Sequence, residues 1–198
     1  MAVLDWTTLA NVKAAGNFAT STVAATDADL SSLITAVSAF LEQQINRPVK
    51  VQAQVERRKA PRKERFAILG GPVVSITQVR YSDSGLFSRD AVTVPSSSYE
   101  LEPGNEGLII PDYASASGWL EVSYSGGMAA DTAAFRAAYP DLERAAIQQV
   151  IYTWSRRATL GRTSTDIGNG STQWVGDLDL LANVVAIISP YAHKWAIG

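Results

Sequence analysis

The chain has 198 residues, 46% apolar and 18% charged, which is long enough for one sizeable core and too apolar for a disordered polymer. Its 17 Lys and Arg against 19 Asp and Glu leave a net charge of -2, so the overall balance demands neither nucleic acid nor an anionic membrane as partner. Cysteine is absent, which excludes disulfides, thiolate metal sites and thiol nucleophiles together.

In chain order, Asp5 ahead of Trp6, Leu9, Val12 and Lys13, with Gly16 behind them, predicts a short capped helix that ends on glycine. Thr26 and Asp27 then precede Leu30, Leu33, Ile34, Val37, Phe40, Leu41 and Ile45 at three-and-four spacing, an amphipathic helix that Arg47 and Pro48 stop. Past Pro48 the period becomes two. Val49, Val51, Ala53 and Val55 alternate with Lys50, Gln52, Gln54 and Glu56, which predicts a strand that buries its valines. Short strands rich in β-branched and aromatic residues are expected at 66–69, 73–81, 91–94, 99–101, 108–110 and 119–124. Their spacing leaves no room for crossover helices, so a doubly wound nucleotide-binding fold is excluded.

Ser125, Gly126 and Gly127 close the strands, and Pro140 opens a helix with Leu142, Ala146, Ile147, Val150, Ile151 and Trp154 on one face. The Gly, Ser and Thr-rich segment 159–176 is expected to be a long mobile loop. Asp177 is expected to cap a last helix that runs through Leu180, Leu181, Val184, Ile187 and Ile188 to Pro190. No internal repeat is found. The expected fold is α+β: a helical core from N-terminal helices at 1–47 and C-terminal helices at 128–198, with a β-rich antiparallel insertion at 48–127.

Chemistry is sparse. The sole histidine, His193, sits in a C-terminal tail beside Lys194 and Trp195, a poor place for the precision of a triad or a metal site, so it is read as exposed or at an interface. Ser123 to Gly127 lacks the spacing of a serine elbow, and neither Gly161 nor Gly168 stands in a phosphate-binding context. Asp177 and Asp179 lack the glycine and glutamate of a calcium loop. No enzyme activity, metal or cofactor is therefore expected. With no apolar run of membrane-spanning length and no basic leader, a soluble, unexported chain without a membrane partner is expected, and the sequon at Asn169 is then accidental.

The local charge feature is Arg57, Arg58, Lys59, Arg62, Lys63 and Arg65, six basic residues within nine positions around Pro61. Because they join two expected strands, they are placed on a projecting hairpin where neutralising them leaves folding nearly intact. Two readings stand: contact with DNA phosphates or an acidic partner, or a solubilising edge that blocks aggregation. No aromatic residue interrupts the cluster before Phe66, which argues against a base-stacking surface. Trp154 is expected in the core. Trp174 in the loop, and Trp195 with Tyr191, His193, Lys194 and Ile197 in the tail, are candidate anchors for a partner, the tail being expected to order on docking.

The order of these segments resembles the head-tail connector family of tailed phages and gene transfer agents. Asp27 and Leu30 running into Leu33, Ile34 and Ala36 resemble its opening helix, with Arg47 ahead of the first strand. Pro72, Val73, Ser75, Ile76 and Val79 are similar to its "pro-val-x-ser-ile-x-x-val" strand, and Val122, Tyr124 and Gly127 to its "val-x-tyr-x-x-gly" strand. Pro140, Leu142 and Ala146-Ile147 resemble its "pro-x-x-leu-x-x-ala-ile" helix, and the stretch from Val184 to Tyr191 its apolar close. The long strand-rich middle and the segment 159–176 depart from the family.

The resemblance implies a ring, usually of twelve copies, beneath the portal protein at the head-tail vertex of a virion or phage-like particle. It further implies a channel for packaged DNA, a tail-side connector or stopper protein below, and a C-terminal segment that engages the portal. Competing classes are a β-sandwich binding module with exposed aromatics on its strands, a hydrolase built on His193, and a DNA-binding protein whose affinity traces to the basic cluster.

Overall fold

The computed structural model describes residues 4–17, 24–60, 64–104, 106–113, 117–156, 164–167, 171–174 and 179–192. It is an α+β protein with a strand-rich middle, and its contacts divide into two compact units, Met1–Asn46 with Thr132–Gly198, and Arg47–Asp131.

In the first unit, α1 (Leu9–Ala15) starts three residues later than its expected cap allows, because Thr8 rather than Asp5 caps it by accepting a hydrogen bond from the Asn11 amide at 3.3 Å. The left-handed residue beyond it is Asn17, not Gly16. In α2 (Ala24–Ile45), Leu30, Ile34, Val37, Leu41 and Ile45 are at most 3% exposed and line one face at the spacing read from the sequence. Asn46 ends it at φ 51, a left-handed turn that asparagine tolerates better than most residues.

A helix not read from the sequence, α3 (Thr132–Ala138), buries Phe135 and leads into α4 (Pro140–Arg156). The buried face of α4 is Leu142, Ala145, Ala146, Gln149, Val150, Thr153 and Trp154, so Ile147 and Ile151, expected inside, are only half-buried. The segment expected to be a featureless loop contains an antiparallel pair, β8 (Ser164–Ile167) and β9 (Ser171–Trp174). Gly168, Asn169 and Gly170 between two threonine-bearing runs were the available signal for it.

The last helix, α5 (Ala182–Ile188), has Leu181 at its N-cap and not Asp177, which lies outside the described residues. Leucine cannot cap, and the buried Gln149 of α4 supplies the missing oxygen. Its Oε1 accepts from the Leu181 amide at 3.1 Å while its Nε2 donates to the Asp179 carbonyl at 3.2 Å. Replacing Gln149 by Leu leaves both backbone groups without that partner, so denaturant melts should show a loss of about 1–3 kcal/mol. An unchanged midpoint would mean that water or another group takes over the cap.

Four aromatic rings cross this unit. Trp6 packs on Phe135 at 5.2 Å between centroids, Phe135 on Tyr139 at 5.5 Å, and Tyr139 meets Tyr191 edge-on at 5.9 Å. Glu143, in the first turn of α4, accepts from Thr7, Asn11 and Arg136, tying the segment around α1 to α3 and α4.

The second unit is two packed sheets. One is the four-stranded antiparallel order β1-β7-β3-β4, made of β1 (Gln52–Lys59), β7 (Trp119–Gly126), β3 (Val73–Ser82) and β4 (Val92–Thr93). The other is β2-β6-β5, made of β2 (Arg65–Ala67), β6 (Gly107–Ile109) and β5 (Glu100–Leu101). Phe66 and Leu108 of the smaller sheet share one core with Val79, Leu120, Val122 and Tyr124 of the larger.

Two expectations fail here. First, β1 and β2 do not form a hairpin: they belong to different sheets. Second, β1 has the opposite phase, with Gln54, Glu56 and Arg58 turned inward and Val55 58% exposed.

Candidate functional site

Because side chains alternate across a strand, consecutive basic residues on β1 cannot act together. Arg57 and Lys59 lie on the outer side of the four-stranded sheet and Arg58 on its inner side, while Arg65 is on the other sheet. Arg62 and Lys63 lie outside the described residues. The placement of the cluster on a hairpin of free charges is therefore corrected: its strands lie in different sheets, and three of its four described members are ion-paired, Arg57 and Arg65 while still more than half exposed.

Arg57 stands directly across from Glu121 of β7, and Arg80 of β3 stands across from the same residue on the other side. Both guanidiniums hydrogen-bond the Glu121 carboxylate, Arg80 through Nε at 2.7 Å, and both lie over the Phe87 ring, at 5.5 and 5.6 Å. Glu121 is 2% exposed beneath them. Burial pushes its carboxyl up, but the hydrogen bonds and charges of Arg80 and Arg57 outweigh burial and hold it below the ordinary carboxylate range.

The loop that brings Phe87 over this trio is stitched by Asp90. It accepts from the Ser82 hydroxyl at 2.5 Å and the Ser84 amide at 2.9 Å, and these bonds lower its pKa.

On the inner side, Glu56 gathers four donors: the Leu69 amide at 2.9 Å, the Gly70 amide at 3.0 Å, Arg58 at 2.8 Å and the Tyr124 hydroxyl. Arg58 also bonds the Ala67 carbonyl and lies over the Phe66 ring at 4.8 Å. Burial and the Glu56 carboxylate push the Tyr124 phenol far up. This polar network explains why β1 turns its valine outward: the inner side of the strand clamps the segment leading to β3. On the smaller sheet, Arg65 pairs with Glu102 at 2.7 Å. Lys59 remains exposed at the end of β1.

Glu121, Phe87 and Glu56 were missed from the sequence. The signal was Glu121 itself, a carboxylate between Leu120 and Val122 in a strand otherwise apolar or small, which has to find a cation or unfold the sheet.

At the C-terminal side, Tyr191 is not part of a free tail. It closes the aromatic row and donates to Asp141 at 2.7 Å, and that bond, with burial, pushes its phenol up to about 12. The backbone of Trp174 lies on β9, while its side chain and the whole of His193, Lys194, Trp195 and Ile197 lie outside the described residues.

Among the described residues no group of three or more His, Asp or Glu could hold a metal ion, and no helix is long and apolar enough to cross a membrane. Of the aromatic residues of the described strands whose side chains are placed, Phe66 and Tyr124 are buried and Tyr81 and Trp119 half-buried.

The two sheets of the strand unit are thus tied by ion pairs between their own residues, Glu121 with Arg57 and Arg80, Glu56 with Arg58 and Glu102 with Arg65. The model of the head completion protein family matches residues 7–193, and the chain belongs to that family. Its fold is similar to a chain in the neck of an empty gene transfer agent particle computed with C6 symmetry, at TM-score 0.62 and 19% identity over 100% of this chain and 95% of that one. It is also similar to a chain in the neck of the native particle computed with C12 symmetry, at TM-score 0.57 and 16% identity over 100% and 98%. A third match, in the virion of the native gene transfer agent, has TM-score 0.58 and 18% identity over 90% and 84%. No curated protein matches the sequence.

Proposed function

We propose that this chain is a head-tail connector subunit. Copies of it form a ring, of twelve by the family's usual count, at the head-tail vertex of a phage or gene transfer agent particle. The ring sits beneath the portal protein, hands over to a tail-side connector or stopper, and continues the DNA channel. Its work is assembly and not catalysis. The observation that carries this reading is the family match across residues 7–193, and the fold likeness to chains of particle necks supports it.

Within this reading the segment beyond Tyr191, with His193, Lys194, Trp195 and Ile197, anchors the subunit to the portal, and Trp174 serves a neighbouring copy. Lys59, Arg62 and Lys63 are the part of the basic segment that reaches packaged DNA or an acidic partner, since Arg57, Arg58 and Arg65 are ion-paired to carboxylates of this chain.

Electron microscopy of particles should show the protein as a ring at the head-tail vertex, and particles lacking it should have filled heads without tails. A chain ending at Ala192 keeps the Tyr191 bond to Asp141, so it should melt with the full-length protein and yet fail to join heads. Density for the protein anywhere else in the particle would overturn the reading, and normal joining by the shortened chain would remove the anchor.

A further inference from the structure

The strand unit has two outer faces that point away from its shared core. On the four-stranded sheet, alternation puts Val55, Arg57 and Lys59 outside. On the three-stranded sheet, Arg65, Ile109 and Glu100 stand in one row opposite the core residues Phe66 and Leu108.

Each face first satisfies itself: Arg57 and Arg80 share Glu121, and Arg65 holds Glu102. What remains differs in sign. Among the described strand residues of these faces, Lys59 on one and Glu100 on the other are exposed with no ion partner. Each of these charges accompanies an apolar residue, the 58% exposed Val55 on the first face and the half-buried Ile109 on the second.

Neither face is complementary to itself in charge, because once the internal pairs are made the first is left with the cation Lys59 and the second with the anion Glu100. Head-to-tail stacking removes the conflict, and heterologous contacts of that kind close into rings when the rotation between copies allows. We infer that the outer face of the four-stranded sheet in one copy docks on the outer face of the three-stranded sheet in the next, with Lys59 opposite Glu100. The occupant of each face is thus a second copy of this chain. The inference rests on the ring proposed above and specifies its lateral contact.

The absence of cysteine makes the test direct. Particles assembled with the double variant Lys59→Cys, Glu100→Cys, oxidised mildly and run without reductant, should give a ladder of covalent oligomers beyond the dimer. Each single cysteine variant should stay monomeric. Rings that yield no ladder overturn the inference and leave the connector reading standing. Dimers from one single variant overturn it in favour of a two-fold contact, and necks without a ring remove it together with the reading beneath it.

As a second arm, Lys59→Glu and Glu100→Lys alone should each lower the yield of joined particles about fivefold or more, since like charges then meet at every contact. The two combined should restore it to within about twofold, for the same reason. Both residues are exposed, so all variants should melt with the parent protein, and a double reversal no better than either single one overturns the pairing.

Discussion

Replacing Arg57 and Arg80 together by Ala should destabilise the strand unit by about 3–5 kcal/mol, because it strands a carboxylate that is 2% exposed without either of its cations. Arg80→Ala alone should cost roughly half of that, since Arg57 is left to hold the charge. Lys59→Ala is the control: exposed and without an ion partner among the described residues, it should shift stability by no more than about 0.5 kcal/mol.

The pH dependence sharpens this expectation. In the parent protein the Glu121 carboxyl is held below its ordinary value of 4.5, so the unfolded chain binds its proton first. That contribution to stability is complete above about 4.5 and is lost as pH falls through the lower folded value. Without the two arginines only burial acts on the carboxyl, and burial raises its pKa, so the direction reverses. The variant's deficit should be largest at pH 7 and shrink on acidification toward pH 4. Urea melts at both pH values measure the gap. A deficit that is equal at the two would show that the loss comes from arginine packing on Phe87 and not from the stranded charge.

Glu56→Ala should cost a similar amount, about 3–5 kcal/mol, through a different mechanism. It removes the acceptor of the Leu69 amide and one of the two acceptors of the Gly70 amide, the Tyr124 hydroxyl and Arg58, all of them buried or half-buried. Water reaches the Leu69 amide only by opening the contact between β1 and the segment leading to β3. Glu56→Gln keeps one carbonyl oxygen for the amides but turns an NH2 group toward a donor, so it should fall between Ala and the parent protein. Loss of protection at the Leu69 and Gly70 amides in hydrogen exchange would locate the damage. If those amides stay protected in Glu56→Ala, the network is not what holds the segment.

Both results bear on how the basic segment is to be read. From the sequence, six cations within nine residues looked like one solvated surface whose removal would leave folding nearly intact. With Arg57, Arg58 and Arg65 each paired to a different carboxylate, and Arg80 left to hold Glu121, neutralising the whole cluster should destabilise the strand unit as well as remove any partner contact, so the two effects would be mixed. Only substitutions confined to Lys59, Arg62 and Lys63 can test an external role.

What the residues determine locally was legible in the chain. Of the residues read for α2, Leu30, Ile34, Val37, Leu41 and Ile45 are buried, because a helix that must bury one stripe repeats at that spacing whatever it packs against, while Leu33 and Phe40 at its margins are only half-buried. The strands β3 and β7, read from β-branched and aromatic residues bounded by turn residues, and Pro140 at the first turn of α4 follow from local backbone preference. Segment order was enough to suggest the family. The phase of β1 was not legible, because a strand of alternating valines and polar residues can bury either set. Glu56, Arg58 and Tyr124 could satisfy one another only once β7 and the segment 67–70 were beside them. The same holds for Glu121, whose two arginines lie 64 and 41 residues away in sequence and meet it only across a sheet. It holds too for Gln149, which caps a helix that begins more than thirty positions later. Local pattern decides which elements form. Which polar side chains become structural depends on partners distant in sequence, and only the tertiary fold brings those together.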